Sequence, residues 1–152
     1  MKKRIVFAML LAVLLAASAY AQSDAFFDLV KHGTPQEVQA AISNGADANA
    51  RGGYGLTPLI WAAQWNENPE VFTILVKAGA DIEAQVSYAG GGTALVWAAK
   101  DTDNPDVITT LLKAGANAKA KDHMGKIALD YAKDNEKLKG TDAFKQLEEA
   151  SK

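Results

Sequence analysis

The sequence predicts an all-α solenoid of about four helix pairs joined by β-turn loops and preceded by a cleavable export signal. Two short motifs recur in a common phase at spacings of 34 and 36 residues. The outer helix of each pair opens on a capping residue followed by proline or, near the C-terminus, on a polar cap, and a glycine closes the outer helices at the same place in successive copies. At 152 residues, 49% hydrophobic and 22% charged, the chain has the size and composition of one soluble domain.

Residues 1–21 read as a signal peptide. Lys2, Lys3 and Arg4 form a positive n-region, Ile5 to Ala17 an apolar core, and Ala19-Tyr20-Ala21 a small-x-small cleavage site that puts the mature N-terminus at Gln22. An uncleaved membrane anchor is the alternative, disfavoured because the apolar run is short for a membrane span. With no cysteine, the chain has neither disulfides nor a lipid-acceptor thiol. The basic, alanine-rich signal has a bacterial look, which makes the periplasm the expected compartment and secretion the second option. The domain from residue 22 to 152 then keeps 13 basic against 18 acidic residues, a net charge of about −5, and offers no cationic footprint for nucleic acid.

Residues 24–50 form the first unit. Asp24 to Lys31, with Phe26, Phe27, Leu29 and Val30, is its inner helix. Thr34-Pro35-Gln36-Glu37 opens the outer one with a proline where a helix start tolerates it and with capping-box spacing. Residues 51–84 are the second unit, with Gly55-Leu56-Thr57-Pro58-Leu59-Ile60-Trp61-Ala62-Ala63 starting its inner helix and Asn68-Pro69-Glu70 its outer one. Residues 85–120 repeat this as Gly91-Gly92-Thr93-Ala94-Leu95-Val96-Trp97-Ala98-Ala99 and Asn104-Pro105-Asp106. Residues 121–152 close the stack with Gly125-Lys126-Ile127-Ala128-Leu129-Asp130-Tyr131-Ala132 and a last helix from Asp142 to Ala150 that turns Phe144 and Leu147 inward. Apolar stripes at i, i+3, i+4 spacing (Val38, Ala41, Ile42; Val71, Ile74, Leu75; Val107, Leu111, Leu112) give the outer helices one buried face. Gly45, Gly79 and Gly115 supply the left-handed residue that ends each of these helices.

These motifs, above all Thr57-Pro58-Leu59 and the Gly-Ala-Asp turns at 45–47 and 79–81, resemble the ankyrin repeat, over essentially all of the chain beyond residue 21. The histidine of the family's T-P-L-H signature is replaced by Ile60, Val96 and Asp130, and the hydrogen bonds it makes are in doubt here. Trp61, Trp97 and Tyr131 follow in register and predict an aromatic ladder between repeats.

The resemblance implies recognition of a protein partner by a monomeric module through its concave face and loop tips, with no cofactor, no metal and no membrane contact after signal cleavage. Carried onto this sequence, the contact positions are Arg51, Gly53, Tyr54 and Leu56 in the first loop, then Gln85 and Tyr88, then Lys121, His123, Met124 and Lys126. Gln64 and Trp65 follow the first inner helix of this set, and Lys100 and Asp101 the second. Trp65 stands out because Asp101 and Asn135 occupy what read as its equivalents. The partner is expected to be a periplasmic enzyme that the module protects or inhibits; the same signal also suits a secreted effector acting on a host or competitor protein. The glycine-rich stretch Ser87-Tyr88-Ala89-Gly90-Gly91-Gly92 predicts a mobile tip that orders on binding. It is no phosphate loop, since no strand precedes it and no Gly-Lys-Ser/Thr follows.

Catalysis finds no constellation. His32 and His123 are more than two repeats apart, there is no thiol, and neither G-x-S-x-G nor H-E-x-x-H occurs. Asp101, Asp103 and Asp106 lack the closing glutamate of a calcium loop.

Overall fold

The computed structural model describes residues 24–86 and 88–152, so the signal-peptide reading of residues 1–21 lies outside the described residues. Among the described residues eight α-helices follow one another: α1 (24–32), α2 (Pro35–Ser43), α3 (Pro58–Trp65), α4 (Pro69–Lys77), α5 (Ala94–Asp101), α6 (Pro105–Lys113), α7 (Ala128–Ala132) and α8 (Asp142–Ala150), with a 3-10 turn at Gly53–Gly55. The described residues contain no strand. Inner helices stack on inner helices, α3 on α5 and α5 on α7, while α2, α4, α6 and α8 stack in turn behind them. Two layers result, with the apolar stripes between them.

The caps behave as the side chains dictate. Thr34 Oγ1 accepts from Glu37 N at 3.3 Å while Glu37 Oε2 accepts from Thr34 N at 2.8 Å, completing a capping box. Asn68 and Asn104 each accept, at 3.0 Å, from the amide two residues on, and Thr57 from Ile60 N at 3.4 Å. Gly45, Gly79 and Gly115 sit at φ 95°, 90° and 95°, where a Cβ would be strained, and end α2, α4 and α6. The inner helix of the last pair is shorter: Ile127, which stands where Thr57 and Thr93 precede α3 and α5, has no side-chain acceptor, and Asp130 Oδ2 accepts the Ile127 amide at 3.1 Å instead.

The core runs unbroken through the stack, with Leu59, Ile60, Phe72, Leu75, Leu95, Ile108, Leu111 and Leu147 fully buried. Leu56 belongs to it too, which corrects its placement among the contact positions: the 3-10 turn ahead of it rolls its side chain beneath the tip.

Side-chain amides and carboxylates lock each pair to the one before. Asn66, buried, donates from Nδ2 to the Val30 carbonyl at 2.9 Å and the Gly33 carbonyl at 3.4 Å, and its Oδ1 accepts from Asn68 N at 2.9 Å. Asn135 repeats this on the carbonyls of Ala99 (3.3 Å) and Thr102 (3.0 Å), accepting from Lys137 N at 2.9 Å. Between them the polarity inverts. Thr102 Oγ1 donates to Glu67 Oε2 at 3.1 Å, and the Glu67 carboxylate also accepts the Asp103 amide at 3.2 Å.

Candidate partner-binding face

Of the contact positions expected from the sequence, the loop tips gather Arg51, Tyr54, Gln85, Tyr88, Lys121, His123 and Met124. Arg51 and Gln85 act first as staples: Arg51 Nη1 donates to the carbonyls of Gly55 (3.0 Å) and Gln85 (3.2 Å), and Gln85 Nε2 to that of Lys121 (3.3 Å). Each reaches one repeat onward, so part of their donor capacity holds the tips side by side.

Across these staples lie the rings. Tyr54 is 72% exposed, Tyr88 47%, and they stack with centroids 4.3 Å apart and planes 22° from parallel. Tyr54 is held at φ 61°, in the left-handed region that a residue with a Cβ enters at a cost of about 1–2 kcal/mol. Ala89, next to Tyr88, is also left-handed at φ 49°. The strain buys an aromatic pair turned outward at the point where two repeats meet.

The glycine-rich tip is pinned rather than free. Gly91 N donates to Tyr88 O at 2.9 Å and His123 N to Gly90 O at 2.9 Å, and a side chain at Gly91 would strike the His123 ring, 2.8 Å from its hypothetical Cβ. In this arrangement the glycines let the second tip lie flat on the third. Met124, 62% exposed, completes the row.

Beneath Met124, buried Asp122 organises the third tip. Its Oδ1 accepts from Met124 N at 2.8 Å and Lys126 N at 2.9 Å, and its Oδ2 accepts the Tyr131 hydroxyl. Burial pushes the Asp122 carboxyl up, but the Tyr131 hydroxyl, the two amides and the Lys126 charge outweigh it and hold the group below the usual range. The same bond, with burial and the nearby carboxylates, pushes Tyr131 up to about 12.

Trp65 stands apart, in the last turn of α3 at the opposite end of that helix from the tips. It is 53% exposed, with Lys31 Nζ 4.5 Å from its ring centroid. It borders an open cleft of about 610 Å³ shared with Lys31, His32, Glu67, Asn68 and Asn104. The carboxamides of Asn66 and Asn104 and the Glu67 carboxylate are already engaged by the frame, and the indole face, the Lys31 ammonium, the His32 imidazole and Asn68 Nδ2 line the cleft beside them. The hydrogen bonds of Asn66 and Asn135 also correct the alignment: Asn135 is the equivalent of Asn66, so Trp65 corresponds to Asp101 and Asp134. Asp101, at the end of α5, has its carboxyl raised by partial burial against the pull of Lys100.

The in-register aromatics are packed, as expected, but not as a continuous ladder. Trp97 is buried, Trp61 and Tyr131 half-buried, and Phe27 meets Trp61 at 6.0 Å. Lysines cover all three: Lys31 over Trp61 at 5.7 Å, Lys100 over Trp97 at 5.1 Å and Lys126 over Tyr131 at 5.2 Å. The indole N–H groups of Trp61 and Trp97 are buried without an acceptor.

Among the described residues no group of three histidines, cysteines or carboxylates is placed to hold a metal ion, and no helix is long and apolar enough to cross a membrane. What the tips present is a stapled row of aromatic, sulfur and cationic side chains on a rigid frame, a surface suited to docking.

A stack of capped helix pairs, closed by left-handed glycines and joined through projecting turns, defines a repeat protein of the ankyrin class. The family model described as ankyrin repeats (3 copies) matches residues 26–122, about two thirds of the chain, and the chain belongs to that family. It is also similar to an ankyrin repeat protein of Fowlpox virus (strain NVSL), 38% identical over 56 residues, covering 37% of this chain and 11% of the viral protein. The fourth helix pair, with its shortened α7, lies beyond the matched residues.

Proposed function

We propose that this chain is an exported, non-enzymatic interaction module that binds a partner protein through its loop tips and concave face, and that it protects or inhibits an enzyme of the periplasm. Ankyrin repeats generally mediate contacts between proteins, and the observation that carries the reading here is the Tyr54–Tyr88 pair: exposed, stacked across two repeats and held on left-handed backbone. Export rests on the sequence pattern of residues 1–21.

The test is affinity capture from periplasmic extract and from culture medium, with the parent beside a folded Tyr54→Ala, Tyr88→Ala, Met124→Ala variant. A defined protein retained by the parent and lost by the variant is the expected result, and the fraction that yields it distinguishes a periplasmic partner from an external one. Retention of nothing from either source overturns the proposal.

A further inference from the structure

We infer that the tip row takes an acidic, extended segment of its partner, with carboxylates set against Arg51, Lys121 and Lys126 and an apolar side chain against the tyrosine pair and Met124. This rests on the interaction reading above and adds the chemistry of the occupant.

The argument is one of charge placement. The domain as a whole is acidic, yet the tip segments 51–58, 85–93 and 121–129 contain Arg51, Lys121, His123 and Lys126 against one carboxylate, Asp122. That carboxylate is buried and already accepts from two amides and a hydroxyl, so it offers no exposed anion. The exposed acids that precede the tips keep their charge but lie outside these segments, each with one oxygen tied to a backbone amide. Asp47 and Asp81 each accept a turn amide two residues on, at 2.8 Å and 3.0 Å, and Glu83 accepts Asn117 N at 2.8 Å. Within the three tip segments the solvent-facing charge is therefore positive, in a domain whose net charge is negative.

The row is also continuous, which fixes the shape of what fits it. Arg51 reaches Gln85, Gln85 reaches Lys121, Tyr54 stacks on Tyr88, and the Gly90 carbonyl takes the His123 amide, so three repeats present one edge. An extended chain crossing that edge meets cation, ring and thioether in turn. A nucleic acid is a poorer fit: a few cations on a domain of net negative charge neutralise few phosphates, while the surrounding carboxylates repel the rest.

The test uses the purified protein and fluorescence anisotropy with three labelled probes: a random glutamate–tyrosine copolymer, a lysine–tyrosine copolymer and an oligothymidylate. The acidic copolymer is expected to bind saturably and to weaken about tenfold or more between roughly 0.05 and 0.5 M salt. Lys121→Glu with Lys126→Glu should weaken it about tenfold or more. Tyr54→Gly removes the ring while relaxing the left-handed backbone, so a loss of binding there, with an unchanged melting curve, cannot be a folding failure. Equal or tighter binding of the basic copolymer or the oligothymidylate overturns the inference, as does unchanged binding of the acidic copolymer to the Lys121→Glu, Lys126→Glu variant. A partner from the capture experiment that this same variant retains undiminished overturns the acidic assignment while leaving the interaction module standing.

Discussion

Removing the Asn66 carboxamide should destabilise the stack out of proportion to the atoms lost. Asn66→Ala leaves the Val30 and Gly33 carbonyls without their donor at the junction between the first and second pairs, and the Asn68 amide without its acceptor. A buried polar group left unpaired costs about 1–3 kcal/mol. The Asn68 amide lies at an exposed residue where water can replace the bond, so the two carbonyls dominate and the loss is expected at about 2–4 kcal/mol. For a domain of this size that lowers the melting temperature by about 10 °C. Urea and thermal denaturation followed by far-ultraviolet circular dichroism measure both, and the slope of the urea transition reports whether the first pair detaches separately. Asn66→Asp sharpens the test. Its carboxylate keeps the acceptor for Asn68 N but faces two carbonyl oxygens, so at neutral pH it should be at least as damaging as alanine. Near pH 4, protonation restores a donor and the gap to the parent should narrow. A value for Asn66→Ala within about 0.5 kcal/mol of the parent would refute the reasoning, because it would mean that water serves the Val30 carbonyl equally well.

Other outcomes follow from the same geometry. Leu59→Ala and Phe72→Ala, both at fully buried sites, should each cost about 3–5 kcal/mol by denaturant titration. Thr34→Ala, which dismantles the capping box of α2, should cost about 1 kcal/mol in the same assay. Tyr131 keeps its proton up to about 12 when folded and loses it near 10 when unfolded, so the folded state binds more protons in that window and stability must fall as pH rises through it. Phenolate absorbance should show this late titration in the parent and not in Tyr131→Phe. Asp122 behaves oppositely: its folded carboxyl titrates below the ordinary value near 3.9, so its contribution is present above that pH and fades as the solution is acidified through the folded value. Asp122→Asn should flatten the acid limb of the stability profile.

The helices were legible because each is announced by residues whose chemistry acts within one turn. Thr34, Asn68 and Asn104 cap, Pro35, Pro69 and Pro105 follow, and Gly45, Gly79 and Gly115 close, all from local backbone geometry. Contacts that cross from one repeat to the next were not legible. That Asn66 seeks a carbonyl thirty-six residues back, or that Glu67 takes a hydroxyl thirty-five ahead, depends on the stacking itself. The column of Asn66, Thr102 and Asn135 was hidden for a plain reason: the last inner helix is shorter, and counting from the motif slips by one residue there. At the tips, sequence named the exposed aromatics correctly but could not show that Arg51 and Gln85 are partly spent as staples, nor that the glycine run is pressed against His123. Trp65 lies where the sequence places it, at the end of the inner helix, but its stacking under Lys31 crosses between repeats and no local motif announces it.

The unequal repeat lengths fall where they cost nothing. Arg51 stands six residues before Thr57 and Lys121 six before Ile127, but Gln85 stands eight before Thr93. The added pair is taken up within the second tip, where Gly90, Gly91 and Gly92 fold it back, and α5 behind it keeps the length of α3. The scaffold thus takes up an insertion at the edge that meets a partner, so a lineage could lengthen or shorten one finger and sample new specificities without refolding the palm.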